Sequence, residues 1–405
     1  MSLSMRRPLR LPIAPVGTEK LRPSPAESET ALEAAQRLAA VFAAEAAKHD
    51  RTGRLPAGHF DRLHAAGLLK LTIPTALGGA GAGLGEVVRV IGQIARGDAS
   101  TALVHAMHLL HVAAIFRRAT WPQHLAERIA WEILDGPALV NALRVEPEQG
   151  SPARGGLPAT VARRTERGWR LDGHKIYSTG STLLTWALVW ARTAEVEPRV
   201  GTFLVPMNTP GIRIEETWNH LGMRATASHD VLFENVLLPA DHAVDLREPA
   251  DWAVPEPGQA AWNTLTVSAL YDGIARAARD WFVAYARDRR PSNLGASLAT
   301  LERFQEAAGE IDGWLAVNRR LIAGAAAEVD EDPASLGVAE AGLIKRTVTG
   351  NAIKVVERAL ELTGNRGLDR AHPLERHYRD VLCSRIHTPQ NDSILVAAGR
   401  AAFGL

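Results

Sequence analysis

Residues Gly168–Ser181 read GWRLDGHKIYSTGS and contain two short β-strand patterns around a turn signal. The Asp172-Gly173 pair suits the left-handed backbone of a tight hairpin turn. The second strand pattern, Lys175–Tyr177, ends in Ser178-Thr179-Gly180, which places an aromatic ring and two hydroxyls beside a residue without a side chain. Such an end lets a flat polar ring approach closely and be hydrogen-bonded. A solvent-exposed hairpin without a ligand is the alternative interpretation.

Length, charge and cysteine content limit the classes of protein to consider. The chain has 405 residues, enough for a large core and long for one domain. Its net charge is +1 with no basic run, which predicts no nucleic-acid and no anionic membrane partner. Cys383 is the only cysteine, which excludes an internal disulfide and fits a reducing compartment. We find no stretch long enough to span a bilayer and no signal peptide, so we expect a cytoplasmic protein.

Residue periodicity divides the chain into four segments. Residues 1–25 are Pro-rich and predict a loosely ordered arm, and residues 26–136 are helical. Thr30 with Glu33 has the spacing of a capping box, and Asp98 is a predicted N-cap. Residues 137–245 carry short β-rich runs separated by turns, which predict an antiparallel barrel or sandwich. Residues 246–405 return to an alanine-rich helical pattern, so the predicted fold class is α+β.

Three histidines, His105, His108 and His111, lie at spacings of three on one predicted helix. No carboxylate stands at a ligand-like offset and HExxH is absent, so we predict no metal site. Either the imidazoles pack and expose polar tips, or one of them, His108, points into a substrate pocket.

Further motifs appear in order along the chain: AAGLLKLTIPTALGGAG from Ala65, IARGDAST from Ile94, LGMRATASHDVLFENVLLP from Leu221 and HPLERHYRDV from His372. With the stretch at Gly168–Ser181, they make the chain similar to the acyl-CoA dehydrogenase superfamily. The resemblance implies an N-terminal helical domain, a middle β domain, a C-terminal four-helix bundle and bound FAD or FMN. It also assigns cofactor contacts. Tyr177 would pack on the isoalloxazine, the Thr179 hydroxyl would meet its N5/O4 edge beside Ser178, and Val145 stands where the family has a flavin-facing threonine.

The resemblance places a second set of cofactor contacts between subunits. Gly364 and Asn365 resemble the family's turn that approaches the FAD pyrophosphate of a neighbouring subunit, although Glu361 replaces its glutamine. Arg287 lies in a stretch similar to the arginine-bearing segment that contacts the same group, and Asn391 is a further expected contact. A solvated basic helix end is the alternative for Arg287. These contacts imply a homo-oligomer, with a tetramer expected.

The two positions that carry the catalytic glutamate in family dehydrogenases match His387 and Asn263, neither of which is a carboxylate. A histidine at the first position resembles the family's flavin monooxygenase branch, which receives reduced flavin from a separate reductase and reacts with dioxygen. In that branch the counterpart of His108 assists. The resemblance therefore favours a reduced-flavin-dependent monooxygenase or oxidase acting on a small organic substrate, with His387 and His108 catalytic. The alternatives are an FAD-dependent acyl-CoA dehydrogenase and a non-catalytic flavin- or acyl-binding paralogue.

Overall fold

The computed structural model describes residues 29–118, 120–148, 156–252 and 256–405. The arm predicted at residues 1–25 lies outside them. Within the described residues, helices precede and follow a β-sheet, which confirms the predicted α+β class and order of elements.

The N-terminal segment is helical, as predicted. Its helices are α1 (Ala31–Thr52), α2 (Ala57–Ala65), α3 (Leu84–Gly97), α4 (Ala99–Arg117) and α5 (Gln123–Asp135). The Thr30–Glu33 capping box at the start of α1 is present, and the Asp98 carboxylate accepts from the first amides of α4. Both helix caps could be predicted because each depends only on residues that are close together in the sequence.

Helix α4 corrects one sequence expectation. It has 19 residues and a mean hydropathy of 1.5, which is long and apolar enough to cross a membrane. However, 83% of that apolar window is buried against other elements of the protein. Its uniformly apolar surface is that of a core helix enclosed on all sides.

The middle segment forms one sheet. Its strands are β1 (Leu139–Leu143), β2 (Val161–Thr165), β3 (Gly168–Ser178), β4 (Leu184–Thr193), β5 (Val200–Pro206), β6 (Ile212–Glu215), β7 (His229–Leu238) and β8 (Ala243–Arg247). The order is β6-β7-β3-β2-β4-β5-β8, with β1 also paired to β4. Because β1 and β2 both run parallel to β4, the sheet is mixed rather than wholly antiparallel as predicted.

The predicted hairpin turn at Asp172-Gly173 is wrong. β3 continues through both residues, with an irregularity in its pairing to β7, and the turn lies at Glu166-Arg167 between β2 and β3. A Cβ on Gly173 would lie 2.4 Å from Thr160 Oγ1. Close approach of another chain segment, rather than a turn, therefore requires glycine there.

The C-terminal helices are α6 (Pro257–Asp288), α7 (Glu302–Glu331), α8 (Val338–Thr363), α9 (Asn365–Leu368), α10 (Leu374–Leu382) and α11 (Asn391–Ala402). Helix α6 crosses α3 at Gly273, where a Cβ would lie 2.4 Å from the Gly92 carbonyl oxygen. This close crossing joins the N-terminal and C-terminal helices into a continuous apolar core.

Candidate functional site

A buried ion pair anchors strand β3. Lys175 Nζ lies 2.6 Å from Glu146 Oε1, and both side chains are buried. Glu146 also accepts from the backbone amide and hydroxyl of Thr160. Burial opposes ionisation of Glu146, but the Lys175 ammonium and the Thr160 contacts outweigh it and keep the pKa of Glu146 below its usual value. Burial lowers the pKa of Lys175 to about 8, against the attraction of Glu146.

The end of β3 presents the aromatic residue predicted to contact a cofactor. Tyr177 is 53% exposed and has a φ of 54°, in the left-handed region that bulky residues rarely adopt. Its ring meets those of Trp218 and His220 edge-on, and these two stack with centroids 3.7 Å apart. Val145 lies alongside, since its carbonyl accepts from the Ile176 amide 3.0 Å away. The structure thus brings Val145 and Tyr177 together.

A chain of hydroxyls continues from Thr179. Its Oγ1 lies 3.0 Å from Ser228 Oγ, which lies 2.7 Å from Thr226 Oγ1. The Gly180 amide donates to the Thr226 carbonyl. Sequence reasoning missed Thr226 and Ser228 as site residues, although both stand in the RATAS part of a motif that it quoted. Their two small hydroxyls close to a glycine-containing turn were the available signal.

The segment before these hydroxyls connects the sheet to helix α10. The Met223 amide donates to Asp380 Oδ1 over 2.7 Å, and a Cβ on Gly222 would lie 2.2 Å from the Arg379 carbonyl oxygen. Burial raises the pKa of Asp380 to about 7, although the Met223 amide opposes the shift. Residues 222–228 therefore hold the end of β3 against the helix that precedes the His387 loop, defined as residues Ser384–Pro389.

His387 is held by a tyrosine. Its Nδ1 lies 2.6 Å from the Tyr271 hydroxyl, on a side chain with no exposed surface. Burial raises the pKa of Tyr271 well above its usual value, so the phenol keeps its proton. If Nδ1 carried the imidazole proton, the buried phenol proton would lack a partner among the described residues, which is costly. The phenol therefore donates to Nδ1, and the imidazole proton is on Nε2.

The surroundings of His387 keep it neutral. Burial, and then the nearby Lys345 ammonium, lower the pKa of His387 to about 4. Near pH 7 the ring is an uncharged imidazole whose Nε2–H can donate a hydrogen bond. No described residue accepts from Nε2, and that nitrogen is not sealed in the interior.

A buried lysine fixes the His387 loop. Lys345 Nζ donates to the carbonyl oxygens of Ser384, His387 and Pro389 at 3.1, 2.9 and 2.9 Å. Burial lowers the pKa of Lys345 to about 8. Asn263 Nδ2 donates to the Thr388 carbonyl. Asn263 and His387, the two positions expected to carry a catalytic base, therefore lie at one place.

His108 lies apart from this arrangement. Its ring has no exposed surface, its Nε2 lies 2.8 Å from the Leu69 carbonyl oxygen, and its Nδ1 accepts from the Val140 amide. His105 Nε2 similarly bonds the Leu68 carbonyl. Burial lowers the pKa of His108 to about 4. Both ring nitrogens of His108 are engaged by backbone, which argues against the prediction that it points into a substrate pocket.

The residues predicted to serve a neighbour's cofactor lie on the surface. Arg287 lies in the last turn of α6, Gly364 connects α8 to α9 and Asn365 begins α9, and all three are exposed. No described contact joins them to Thr179 or His387. Glu361 pairs with Arg358, so its charge is partly balanced.

Two buried polar atoms without a hydrogen-bond partner belong to residues that were predicted to contact the cofactor. Among the described residues, Ser178 Oγ and Asn391 Oδ1 are buried without a hydrogen-bond partner. Unpaired buried polar atoms are costly in a folded protein unless a ligand or water meets them. Ser178 is 1% exposed, so its hydroxyl faces the interior, whereas Tyr177 and Thr179 on either side of it reach the surface. An exposed ring beside a partly exposed hydroxyl fits a flavin at this end of β3.

Glu45, His49 and His59 could in principle hold a metal ion, since their ligand atoms lie within 4.8 Å of one another. Arg62 Nη1 already pairs with Glu45 at 3.0 Å, and His59 Nδ1 bonds Thr101. Glu45 and His59 are thus already engaged in hydrogen bonds and an ion pair within the protein.

Comparison with known proteins identifies the family. Models of the acyl-CoA dehydrogenase N-terminal, middle and C-terminal domains match residues 25–124, 144–236 and 265–391. The "Putative acyl-CoA dehydrogenase YdbM" of Bacillus subtilis is 34% identical over 376 residues, covering 92% of this chain and 96% of that protein. The L-evernosamine nitrososynthase of a Micromonospora species is 28% identical, covering 89% and 87%.

Solved structures agree. KijD3 in complex with FMN and dTDP-3-amino-2,3,6-trideoxy-4-keto-3-methyl-D-glucose is 28% identical, with a TM-score of 0.80 over 93% of this chain and 97% of that one. Butyryl-CoA dehydrogenase from Megasphaera elsdenii, at 21% identity, has the same fold with a TM-score of 0.82. The chain therefore belongs to the acyl-CoA dehydrogenase family and is a flavin-dependent oxidoreductase.

Proposed function

We propose that the chain is a flavin-dependent monooxygenase that receives reduced flavin from a separate reductase and oxidises a small organic substrate. In the overall reaction, one atom of dioxygen enters the substrate. The other leaves as water with the two electrons and two protons of the reduced flavin. The bound flavin supplies these electrons and the site at which dioxygen reacts.

The protonation of His387 is the observation that carries the proposal. A dehydrogenase needs a carboxylate to remove the proton next to a thioester carbonyl, and neither Asn263 nor His387 supplies one. The neutral imidazole has its Nδ1 lone pair occupied by Tyr271, so the nitrogen left accessible is a donor, Nε2–H. A donor is suited to stabilise an oxygen atom that gains negative charge during reduction of dioxygen. It is unsuited to remove a proton from carbon.

Other residues of the chain would bind and orient the flavin. Tyr177 offers an exposed ring for stacking, and the partly exposed Thr179 offers its hydroxyl to the polar edge of the flavin. Ser228 orients the Thr179 hydroxyl through a hydrogen bond, and Thr226 in turn bonds Ser228. We propose FMN or FAD as the flavin, and an assembly of identical subunits, a tetramer, in which Arg287, Gly364 and Asn365 approach a neighbour's cofactor.

The relatives support both branches of the family. The name of the nitrososynthase favours oxygen chemistry, and the KijD3 complex with FMN supports FMN as the flavin. The 34% identity to YdbM favours the second candidate, an acyl-CoA dehydrogenase. The side chains at the two base positions decide our preference.

The test compares His387→Ala with His64→Ala, a partly buried histidine that bonds the Leu134 carbonyl away from the site. Photoreduced FMN bound to each protein is mixed with dioxygen and followed by absorbance. We expect wild type and His64→Ala to show more than one phase. His387→Ala should still bind FMN but lose the slow phase, since one positioned hydrogen-bond donor to an oxygen that gains negative charge contributes about 10²–10³ in rate.

The dehydrogenase alternative makes the opposite prediction. Under anaerobic conditions, butyryl-CoA should then bleach the flavin of the wild-type protein, and His387→Glu should bleach it faster. Anaerobic bleaching of wild type that disappears in His387→Ala would contradict the proposed function.

A further inference from the structure

Three possible metal ligands from helices α1 and α2 face one another. Glu45 and His49 lie one turn apart on α1, and His59 lies on α2. One ligand atom from each of the three side chains lies within 4.8 Å of the other two. Glu45 Oε2 is 3.2 Å from His59 Nε2 and 3.8 Å from His49 Nε2. Two imidazole nitrogens and one carboxylate oxygen this close together form a donor set that suits zinc.

The other contacts of Glu45 and His59 use different atoms. Arg62 Nη1 pairs with Glu45 Oε1 at 3.0 Å, which leaves Oε2 as the oxygen that faces the two imidazoles. His59 Nδ1 bonds Thr101 Oγ1 at 2.8 Å, which leaves Nε2 as the nitrogen that faces Glu45. These contacts therefore orient the possible ligands and do not occupy the atoms that would bind an ion.

A buried carboxylate oxygen supports a cation on His59. Asp98 is 6% exposed, and its Oδ2 has no hydrogen-bond partner within the part of the chain that the structure describes. This oxygen lies 3.9 Å from His59 Nδ1, the nitrogen that also meets Thr101. A metal ion on Nε2 would fix the ring proton on Nδ1, close to both oxygens. Acceptors on the far nitrogen of a ligating histidine orient the ring and strengthen its bond to the metal.

Without a metal ion, the single proton of a neutral His59 cannot serve both carboxylates. A proton on Nε2 is donated to Glu45, and Asp98 then faces a lone pair. A proton on Nδ1 faces Asp98, and the Nε2 lone pair then faces Glu45. His59 is 1% exposed, and burial disfavours the doubly protonated imidazolium that could serve both. A metal ion on Nε2, with the ring proton moved to Nδ1, satisfies both carboxylates and leaves the number of protons unchanged.

We propose that Glu45, His49 and His59 bind a zinc ion that joins α1 to α2, with a water in the fourth position. Glu45 and His49 are partly exposed, so the ion can enter from solvent. The His59 ring stacks on Phe42 with centroids 3.9 Å apart, which holds it in place before the ion arrives. The sequence predicted no metal site, because it considered only the histidines of α4.

The zinc site is independent of the proposed function. It uses no residue of the end of β3 or of the His387 loop, and binding is measured without turnover. Because its ligands come from two helices, they are held together only in the folded protein. Zinc should therefore stabilise the folded state and raise the unfolding temperature.

The experiment uses the full chain after treatment with a chelator. Zinc binding near pH 7.5 is measured by titration calorimetry, and thermal unfolding is followed with and without zinc. We expect wild type to bind one zinc ion per chain more than His49→Ala, and only wild type to gain a higher unfolding temperature. Thr101→Val keeps the three ligands but removes an acceptor from His59 Nδ1, so it should weaken zinc binding about ten- to a hundred-fold. Magnesium should not replace zinc, because it prefers six oxygen ligands.

His124→Ala is the matched control. His124 also pairs with a carboxylate, Asp241 at 2.8 Å, but on the exposed surface. It should leave zinc binding unchanged. If His49→Ala folds poorly, Glu45→Gln gives the same comparison, because it keeps the size of the side chain and removes the charged ligand. No zinc binding at micromolar concentration, or equal zinc affinity and equal stabilisation in wild type and the ligand variant, would overturn the proposal.

Discussion

Two fully buried lysines hold the two halves of the candidate site in different ways. Lys175 fixes the strand β3 that ends in Tyr177 and Ser178 through an ion pair with Glu146, whereas Lys345 fixes the His387 loop through three carbonyl oxygens. Burial lowers the pKa of each to about 8. The same desolvation cost is thus offset by a full negative charge in one half and by peptide dipoles in the other.

The two halves of the candidate site therefore differ in their electrostatics. We call the part of β3 anchored by Lys175 and Glu146 the β3 half, and the His387 loop with Lys345 and Tyr271 the His387 half. The charge of Lys175 is matched within its own pair, so it contributes little field beyond Glu146. Among the described residues no carboxylate pairs with Lys345, and its charge adds to the effect of burial in lowering the pKa of His387. We infer that the first lysine serves stability and that the second positions the His387 loop and adds to the effect of burial in keeping His387 neutral.

The largest expected effect comes from breaking the matched pair. Lys175→Met leaves the Glu146 carboxylate buried without its counter-charge, which should lower the free energy of unfolding by about 3–5 kcal/mol. Urea unfolding measures this loss. The control is Lys175→Met with Glu146→Gln, which removes both charges and should recover most of the stability. A single variant as stable as wild type would show that Glu146 takes up a proton or reaches solvent.

Removing the Lys345 ammonium from the carbonyl oxygens of the His387 loop should have a smaller and more local effect on stability. Lys345→Met removes the donor to three carbonyls but leaves no charged partner behind. We expect amides of the His387 loop to exchange with solvent about ten- to a hundred-fold faster, while the core of α6 and α8 is unchanged. Mass-spectrometric hydrogen exchange measures this. Uniform acceleration across all helices would instead assign Lys345 a global role.

The same variant changes the acid response of His387. The folded pKa of about 4 lies below the ordinary value of 6.5, so the unfolded chain binds more protons between these values. The contribution of this imidazole to stability is therefore lost as the pH falls from about 6.5 towards 4. Removing the Lys345 charge should raise the pKa of His387 in the folded protein. This narrows the pH range over which stability is lost, and NMR titration of His387 measures the pKa. A pKa that stays near 4 would leave burial as the sole cause.

The two halves also differ in how far the sequence reveals them. Local caps such as Thr30–Glu33 were predicted correctly from neighbouring residues. Tyr177, Ser178 and Thr179 could be proposed together because they are consecutive in the sequence, and their contact with a flavin stays a prediction. The His387 loop depends on Lys345 and Tyr271, which lie 42 and 116 residues away along the chain. No local pattern connects such residues, so neither was proposed.

Misreadings arose where tertiary contact overrides local preference. Asp172-Gly173 has the composition of a turn, but glycine is there to admit Thr160 beside a continuous strand. His108 looks like a site residue because it is polar in an apolar helix, yet backbone groups satisfy both nitrogens.

Removing the Tyr271 hydroxyl tests what holds His387 in the His387 half of the candidate site. Tyr271→Phe takes away the donor to His387 Nδ1 and leaves that nitrogen unpaired, with an expected loss of about 1–2 kcal/mol in stability. The imidazole should then exchange between tautomers, which nitrogen-15 NMR resolves. Tyr285→Phe, on the same helix but stacked on Trp281, is the control and should leave the His387 signals unchanged. A single unchanged Nε2–H tautomer in Tyr271→Phe would show that another group sets it.

The smallest expected effect comes from removing the Thr179 hydroxyl, just after strand β3. Thr179→Val keeps the shape and strand preference of the residue but removes the group that Ser228 orients. A hydrogen bond to the flavin edge contributes roughly 0.5–1.5 kcal/mol, so the dissociation constant for FMN should rise about two- to ten-fold. Fluorescence titration measures it, with Thr165→Val at the far end of the β2–β3 pair as the control. Because Lys175 and Glu146 remain in place, the free energy of unfolding should hardly change. Weaker flavin binding with unchanged stability would separate cofactor contact from anchoring within one strand, whereas an unchanged dissociation constant would mean that the Thr179 hydroxyl serves only Ser228.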